Sequence, residues 1–300
     1  MFHMRRYWIA GALRMGKTKM SRNVAVVTGA SRGLGRGIAR ALGRQGFKVY
    51  ITGRTLHELQ EAAREVSSAG GDGIPLQCDH SNDAHVEDLF ERVSRDAGRL
   101  DILVNNAAAV NLRALPVPGG FWEKPLDLVD MITVGLRSSY VASYFAAPLM
   151  IKTGRSLMAH ISFYGAVSYH YGPAYGAAKA GTDKMSFDMA VDLKSHGVAS
   201  ISIWPGLILT DMLKAIPRDR LPEKLTTDLS NFETPEFTGL VIERLWHDPE
   251  LMTWSGKTLI AAQLGLELGI KDLDGKQPKI YPELGSPAGR FILPRGESAT

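Results

Sequence analysis

The sequence predicts an α/β fold, in which helices cover both faces of one doubly wound parallel sheet. Two observations support this prediction. Short apolar runs, such as Val24–Val27 and Leu100–Val104, alternate with longer segments of helical periodicity. A glycine-rich turn, residues 29–35, joins the first apolar run to the first helical segment. Sheets of this kind bind ligands beyond the carboxyl ends of their strands, so we expect the functional residues at that edge.

Length and charge indicate a single domain with a basic leader. The 300 residues, 45% of them hydrophobic, are enough to form one large core. Residues 1–22 contain six Lys and Arg and no acidic residue, and removing those six charges from the net +4 leaves −2 for residues 23–300. We therefore expect no nucleic-acid partner. The leader is predicted to be disordered or to precede the true start at Met15 or Met20; a short signal segment is the alternative.

Cysteine content and hydropathy indicate a cytoplasmic protein without a membrane span. Cys78 is the only cysteine, so no intrachain disulfide can form, as is typical of a reducing compartment. Its position beside Asp79 at a predicted strand end favours a buried structural thiol. No apolar run approaches the roughly 20 residues that cross a membrane.

The first strand, turn and helix are typical of a dinucleotide site. The turn follows Val24–Val27 and precedes the apolar helical pattern Ile38–Leu42. Glycines let the backbone approach a pyrophosphate, which sits at the positive end of the helix. We expect this turn to hold the cofactor through Gly29, Ser31, Arg32, Gly33, Leu34 and Gly35.

The end of the second strand, Lys48–Thr52, indicates which dinucleotide binds. NAD-selective sites place an acidic residue about 20 residues after the glycines to hold the ribose hydroxyls. This chain has Gly53-Arg54-Thr55 there instead. Arg54, with Arg32 from the turn, can pair with a 2′-phosphate, so the sequence predicts NADP(H) in preference to NAD(H). A solvated loop arginine is the alternative.

The next segments alternate between helix and strand, as a parallel sheet requires. They are a helix over residues 56–69, the strand Ile74–Cys78, a helix over residues 86–97 and the strand Leu100–Val104. Asp79 follows one of these strands, where a side chain borders an adenine pocket. Asn106 follows the other, where an asparagine can bond to neighbouring strand backbone and to a ribose; a simple turn is the alternative.

Ser162, Tyr175 and Lys179 are the candidate catalytic residues. Tyr175 and Lys179 are four residues apart and share one helix face. The ammonium favours the phenolate and should lower the pKa of the phenol, which makes Tyr175 a candidate general acid or base. Ser162 ends the predicted strand Leu157–Ile161 and can hydrogen-bond an oxygen that gains negative charge. His160 is interpreted as a core residue, and no His, Cys and carboxylate cluster has metal-ligand spacing.

Two long connections and a C-terminal extension complete the chain. Residues 109–125, with Phe121 and Trp122, should form an aromatic wall beside the pocket or pack on the domain, and residues 211–238 a lid over the substrate. Residues 263–300 should drape over the domain after a last strand, Thr258–Ala262. Ring-bearing residues near Ser162 also favour an apolar substrate: Tyr164, Tyr169, His170 and Tyr171.

The motifs together resemble the short-chain dehydrogenase/reductase family. They are Thr28-Gly-x-x-x-Gly33-x-Gly35, Asn105-Asn-Ala, Ser162, Tyr175-x-x-x-Lys179 and Pro205-Gly206, and the resemblance covers about residues 23–262. Within the family, Ser202-Ile-Trp-Pro-Gly206 and Asp272-Leu-Asp-Gly275 resemble the branch called dehydrogenase/reductase family member 1.

The resemblance implies a Rossmann-type fold and reversible hydride transfer between NADP(H) and a carbonyl or alcohol carbon. Tyr175 would donate the proton, Ser162 would hydrogen-bond the carbonyl oxygen, and Lys179 would lower the tyrosine pKa and hold the nicotinamide ribose. The carboxamide positions of the family match Ile208 and Thr210, which follow Pro205 and Gly206. Family members commonly form homodimers or homotetramers.

One position departs from the family pattern. Gly135 stands where the family usually has an asparagine that helps to anchor a water in a proton relay to the lysine. Either the Gly135 carbonyl still holds that water, or the relay is altered.

We therefore expect an NADPH-dependent reductase of a hydrophobic ketone or aldehyde, or a dehydrogenase of the corresponding secondary alcohol. A non-catalytic NADP(H)-binding sensor or scaffold is the alternative. A nucleotide-sugar epimerase also uses Tyr-x-x-x-Lys, but it usually has a different glycine spacing.

Overall fold

A computed structural model describes residues 22–109, 119–210 and 232–287 of the chain. The strands are β1 (Val24–Val27), β2 (Lys48–Gly53), β3 (Asp72–Gln77), β4 (Ile102–Asn105), β5 (Ser156–Ile161), β6 (Val198–Trp204) and β7 (Thr258–Ile260). They form one sheet in the order β3-β2-β1-β4-β5-β6-β7, and each neighbouring pair is parallel. The chain changes direction between β1 and β4, which opens a crevice at their carboxyl ends. The predicted doubly wound sheet is confirmed.

Helices cover both faces of the sheet. They are α1 (Gly33–Arg44), α2 (Leu56–Ser68), α3 (Asp83–Ala97), α4 (Asp130–Ile132), α5 (Ser138–Thr153), α6 (Pro173–Leu193), α7 (Phe237–His247) and α8 (Ala261–Glu267). Successive strand residues face opposite sides, so Ala25 and Val27 pack with α1, α2 and α7, whereas Val24 and Val26 pack with α3, α5 and α6. Two apolar cores therefore hold the sheet from both sides.

Some element boundaries differ from the predictions. β3 begins two residues before Ile74 and ends at Gln77. Ala261 and Ala262, predicted as the end of the last strand, begin α8 instead. The strand ends at Ile260, and Ala and Leu favour helix in the segment that follows.

The C-terminal segment packs against the domain as far as the structure describes it. Asp272 is buried, and its carboxylate accepts hydrogen bonds from the backbone N–H of Thr234 at 2.7 Å and from the Thr234 hydroxyl. Tyr281 is also buried. These contacts tie residues 268–287 to the segment that leads into α7.

Four predicted segments fall partly outside the described residues. The parts outside are residues 1–21 of the leader, residues 110–118 of the first long connection, residues 211–231 of the lid and residues 288–300 of the C-terminal extension. Arg22, the last residue of the predicted leader, donates hydrogen bonds to the carbonyls of Gly46 at 3.2 Å and Gly70 at 2.9 Å. No helix among the described residues is long and apolar enough to cross a membrane.

Candidate active site

A cavity of about 910 Å³ opens at the carboxyl ends of the strands. The predicted catalytic and cofactor-binding residues all lie along its wall: Gly29, Ser31, Arg32, Gly33, Leu34, Gly35, Arg54, Asp79, Asn106, Ser162, Tyr175, Lys179, Pro205, Gly206, Ile208 and Thr210. These residues are dispersed over more than half of the chain. The parallel topology brings them together, because it places the ends of β1 to β6 along one edge.

The glycine turn is packed closely against the end of β4. Gly29 has a positive φ of +62°, and a Cβ there would lie 2.7 Å from the Cα of Ala107. A Cβ on Gly35 would lie 2.4 Å from Nδ2 of Asn106. No described side chain caps the start of α1, and its first turn contains no acidic residue. The turn and the positive helix end therefore fit a pyrophosphate that approaches the backbone.

Thr28 and Asn106 fix this turn to β4. The Thr28 Oγ1 accepts hydrogen bonds from the backbone N–H groups of Asn106 at 2.9 Å and Ala107 at 3.0 Å. The Asn106 amide donates to the carbonyls of Thr28 at 2.9 Å and Gly29 at 3.0 Å. The predicted bonding of Asn106 to strand backbone is thus present.

Charged groups line the cavity beside the glycine turn. Arg32 and Arg54 are exposed, and neither forms a salt bridge with another described residue. Hydrogen bonds from the Ser81 backbone and hydroxyl hold the pKa of Asp79 below its usual value, and Arg54 contributes to this effect. Glu58 from α2 lines the same region, an acidic group that the sequence analysis did not consider.

Ser162, Tyr175 and Lys179 meet at the end of β5. The Lys179 ammonium donates to the carbonyl of Ile161 at 3.0 Å and lies 5.6 Å from the centre of the Tyr175 ring. The Ser162 hydroxyl donates to the Lys179 carbonyl at 3.1 Å. Pro173 begins α6, where its fixed φ suits the first helical turn. The helix thereby places the tyrosine and the lysine beside the strand that carries the serine.

Burial dominates the protonation of these groups. It raises the pKa of Tyr175, and Tyr171 adds to the increase. The predicted lowering of this pKa by Lys179 is therefore wrong for this structure: loss of hydration raises the pKa, and the Lys179 ammonium, which is hydrogen-bonded to the Ile161 carbonyl, is not among the charges that shift it. Burial also lowers the pKa of Lys179 to about 8, while Asp183 acts in the opposite direction. At neutral pH the Tyr175 phenol keeps its proton, and Lys179 is positively charged in most molecules.

Asp183 is a neighbour that the sequence analysis missed. Its carboxylate accepts a hydrogen bond from the Ser202 hydroxyl at 2.6 Å and one from the Trp204 indole at 3.1 Å. The sequence does contain a sign of this neighbour. Tyr175, Lys179 and Asp183 follow one another at intervals of four residues, which places all three on one face of α6.

Gly135 lies in a π-helical turn, Thr133–Arg137, between α4 and α5. Its carbonyl accepts a hydrogen bond from the Ser139 hydroxyl at 2.8 Å. A second cavity, of about 10 Å³, is bounded by Gly135, Tyr175 and Lys179, among other residues. That volume is close to the minimum for one water molecule.

The predicted aromatic neighbours separate into two groups. Tyr171 lines the cavity, with its ring centre 4.9 Å from that of Tyr175. Tyr164 is instead buried against Trp204, at 5.1 Å between ring centres. Phe121 and Trp122, predicted as an aromatic wall, are 65% and 75% exposed and do not line the cavity that the described residues form.

Two interpretations of buried residues agree with the structure. His160 is fully buried, with its Nδ1 3.3 Å from the Asn105 amide, and burial lowers its pKa to about 4. It stays neutral at physiological pH, as suits a core residue. Burial raises the pKa of Cys78 to about 12, so its thiol is unreactive there.

Comparison with known proteins agrees with this geometry. The family model described as short chain dehydrogenase matches residues 23–221. The mouse (Mus musculus) protein named dehydrogenase/reductase SDR family member 1 is 42% identical over 275 residues, which are 89% of this chain and 88% of that protein. Its human counterpart is 41% identical over 276 residues, with the same coverage. The solved structure of a mutant Serratia marcescens short-chain dehydrogenase/reductase superposes on this chain with a TM-score of 0.70. The two sequences are 27% identical, and the match covers 80% of this chain and 96% of that one.

Proposed function

This chain belongs to the short-chain dehydrogenase family, in the branch of dehydrogenase/reductase SDR family member 1, and we propose that it reduces a hydrophobic ketone or aldehyde with NADPH or oxidises the corresponding secondary alcohol. Family membership makes it an oxidoreductase that uses a nicotinamide cofactor. The preference for NADP(H) and the substrate class are our proposal. The observation that supports the proposed reaction is that Ser162, Tyr175 and Lys179 lie together on the wall of the cavity that contains the glycine turn.

Proton transfer is assigned to Tyr175. Because burial raises its pKa, the phenol carries a proton at neutral pH and can donate it to a carbonyl oxygen. Ser162 would exchange its bond to the Lys179 carbonyl for one to that oxygen. The positive charge of Lys179 would then stabilise the phenolate that remains. The same groups work in reverse for alcohol oxidation.

The chain's own residues supply the cofactor contacts. The glycine turn would hold the pyrophosphate, Asp79 would border the adenine, and Asn106 and Lys179 would hold the ribose groups. The segment from Pro205 to Thr210 would hold the carboxamide. NADP(H) supplies or accepts the hydride when it is bound.

Two exposed arginines support the choice of NADP(H). Arg32 and Arg54 both line the cavity, and neither forms a salt bridge with a described residue, although the charge of Arg54 acts on Asp79. A 2′-phosphate would give them a doubly charged partner. Glu58 and Asp79 line the same region and would oppose this phosphate, so the preference depends on the two arginines outweighing two carboxylates.

We also propose that the protein is a cytoplasmic homodimer or homotetramer. Large apolar side chains are exposed in pairs one turn apart on adjacent helices: Tyr140 and Tyr144 on α5, Phe187 and Val191 on α6. Such a surface is suited to burial against a second copy. Light scattering coupled to size exclusion measures the assembly directly, and a monomer would exclude this part of the proposal.

Calorimetric titration with NADPH and with NADH tests the cofactor, and NADPH consumption with a panel of hydrophobic ketones and aldehydes tests the reaction. We expect tighter binding of NADPH and turnover of at least one apolar carbonyl. Equal affinity for the two cofactors would exclude the NADP(H) preference.

A second candidate is a sensor or scaffold that binds NADP(H) without turnover. Gly135 is the observation that favours it, because the family's relay asparagine is missing. NADPH binding without turnover of any carbonyl or alcohol would favour this candidate.

A further inference from the structure

We propose that Asp183 is a positioning residue, whose carboxylate maintains the positive charge on Lys179. The inference rests on the proposed reductase function, since it assigns a role within that same site. It adds a fourth member to the set of Ser162, Tyr175 and Lys179.

The helix places Asp183 behind the lysine. Tyr175, Lys179 and Asp183 follow one another at intervals of four residues in α6, so their side chains lie along one face. That face packs on β5 and β6. Ser162 directly follows β5, and Ser202 and Trp204 lie in β6. The carboxylate is therefore on the sheet side of the helix, while the phenol lines the cavity.

Donors from β6 hold the carboxylate in one orientation. The Ser202 hydroxyl lies 2.6 Å from Oδ1, and the Trp204 Nε1 lies 3.1 Å from both carboxylate oxygens. Trp204 and Ser202 are fully buried. These bonds favour the ionised carboxylate, which accepts hydrogen bonds but has none to donate.

A partly buried carboxylate also needs a counter-charge. Burial raises the pKa of Asp183, and the hydrogen bonds from Ser202 and Trp204 and the charge of Lys179 lower it. In return, Asp183 raises the pKa of Lys179 against the effect of burial. Among the described residues that face this pair, β5 and β6 contribute neutral hydroxyl and indole groups, so the aspartate and the lysine balance each other.

The test compares Asp183→Asn with the unmodified protein. Asparagine keeps the shape and the acceptor for Ser202 and Trp204 but removes the charge. Lysines labelled with ¹³C at Cε are titrated by NMR, and the Lys179 signal is identified by its loss in Lys179→Met. We expect the pKa of Lys179 to fall by about one pH unit in Asp183→Asn. The matched control is Asp188→Asn, an exposed aspartate on the same helix that pairs with Lys184; it should leave the Lys179 titration unchanged.

The pH–rate profile is the second readout. Lysine loses its charge as the pH rises, so a lower pKa moves the high-pH limb of turnover to lower pH. At pH 8 we expect Asp183→Asn to be about five-fold slower than the unmodified protein, with a smaller difference at pH 6. If Asp183→Asn does not fold, as judged by circular dichroism, Asp183→Ser replaces it.

The outcomes separate the inference from the proposed function. An unmodified protein that turns over carbonyls, together with an unchanged Lys179 pKa in the aspartate variant, would overturn the inference alone. Equal slowing at every pH would also overturn it, because it would show a purely structural role. Absence of turnover in the unmodified protein would overturn the proposed function, and the inference would fall with it whatever the lysine titration shows.

Discussion

The two ends of the cavity are held in place by different kinds of interaction. At the glycine turn, neutral hydrogen bonds from Thr28 and Asn106 fix the backbone to β4. At the catalytic end, two partly buried groups of opposite charge, Lys179 and Asp183, each favour the charged form of the other, beside the buried phenol of Tyr175. The turn therefore has a shape that does not depend on pH, whereas the catalytic end has a protonation state that does.

This difference separates two kinds of mutational effect. A change at the glycine turn should alter cofactor affinity through steric fit. A change at the catalytic end should alter turnover through proton and charge while it leaves affinity almost intact. Variants that affect both properties equally would break the distinction.

Tyr175→Phe should have the largest effect. It removes the proton donor but keeps the ring that packs 4.9 Å from Tyr171, so we expect turnover to fall by about a thousand-fold and NADPH affinity to change little. Steady-state kinetics and calorimetric titration measure the two quantities. Tyr169→Phe is the control, since Tyr169 is exposed and lies away from the cavity wall. Substantial activity in Tyr175→Phe would exclude the role assigned to this residue.

Gly35→Ala should affect binding instead. The added Cβ would lie 2.4 Å from the Asn106 amide and 2.7 Å from the Gly29 carbonyl, so the turn must move. We expect a loss of about 1–3 kcal/mol in stability from overpacking, together with weaker NADPH binding. Thermal unfolding and titration measure both.

Gly46→Asn provides the control for the glycine substitution. Gly46 has a φ of +79° with no described atom within 4 Å of an added Cβ, and asparagine tolerates that conformation. We expect its NADPH affinity to remain unchanged. Normal NADPH binding by Gly35→Ala would show that the close packing of the turn does not matter.

Arg54→Asp should have an intermediate effect, because it changes selectivity rather than fit. The new carboxylate would repel a 2′-phosphate and could accept bonds from ribose hydroxyls, so the NADPH to NADH affinity ratio should fall by about ten- to a hundred-fold. Arg64→Asp, an exposed position on α2, is the control. An unchanged ratio would remove Arg54 from the proposed site.

The sequence predicts local geometry better than it predicts protonation. The sheet, the glycine turn and the convergence of Ser162, Tyr175 and Lys179 follow from periodicity and spacing, which report local geometry directly. The direction of the Tyr175 pKa shift does not follow from spacing. It depends on how much hydration the folded chain removes from the phenol and on the lysine's bond to Ile161. The same limit hid the donors that Ser202 and Trp204 present to a carboxylate on another element.

The prediction of where strands and helices begin and end was limited in a similar way. Ala261 and Ala262 continue an apolar run after Ile260, so they fitted a buried strand, but the chain turns into α8 where the sheet ends. Phe121 and Trp122 could be recognised as aromatic residues beside a long connection. Their position relative to the cavity depends on how that connection folds, which residue type does not determine.

Gly135→Asn should have the smallest effect. An added Cβ would lie 3.9 Å from the Ala178 Cβ, an ordinary contact, so asparagine can be introduced there without forcing the helix apart. The cavity of about 10 Å³ that Lys179 and Gly135 help to bound already approaches the space for one water, and the Gly135 carbonyl already accepts a hydrogen bond from Ser139. If that carbonyl is sufficient for a relay, turnover should change by less than about ten-fold. Measuring kcat in ordinary and heavy water for both proteins tests this expectation, and a ten-fold or greater increase in Gly135→Asn would show that the glycine limits proton delivery.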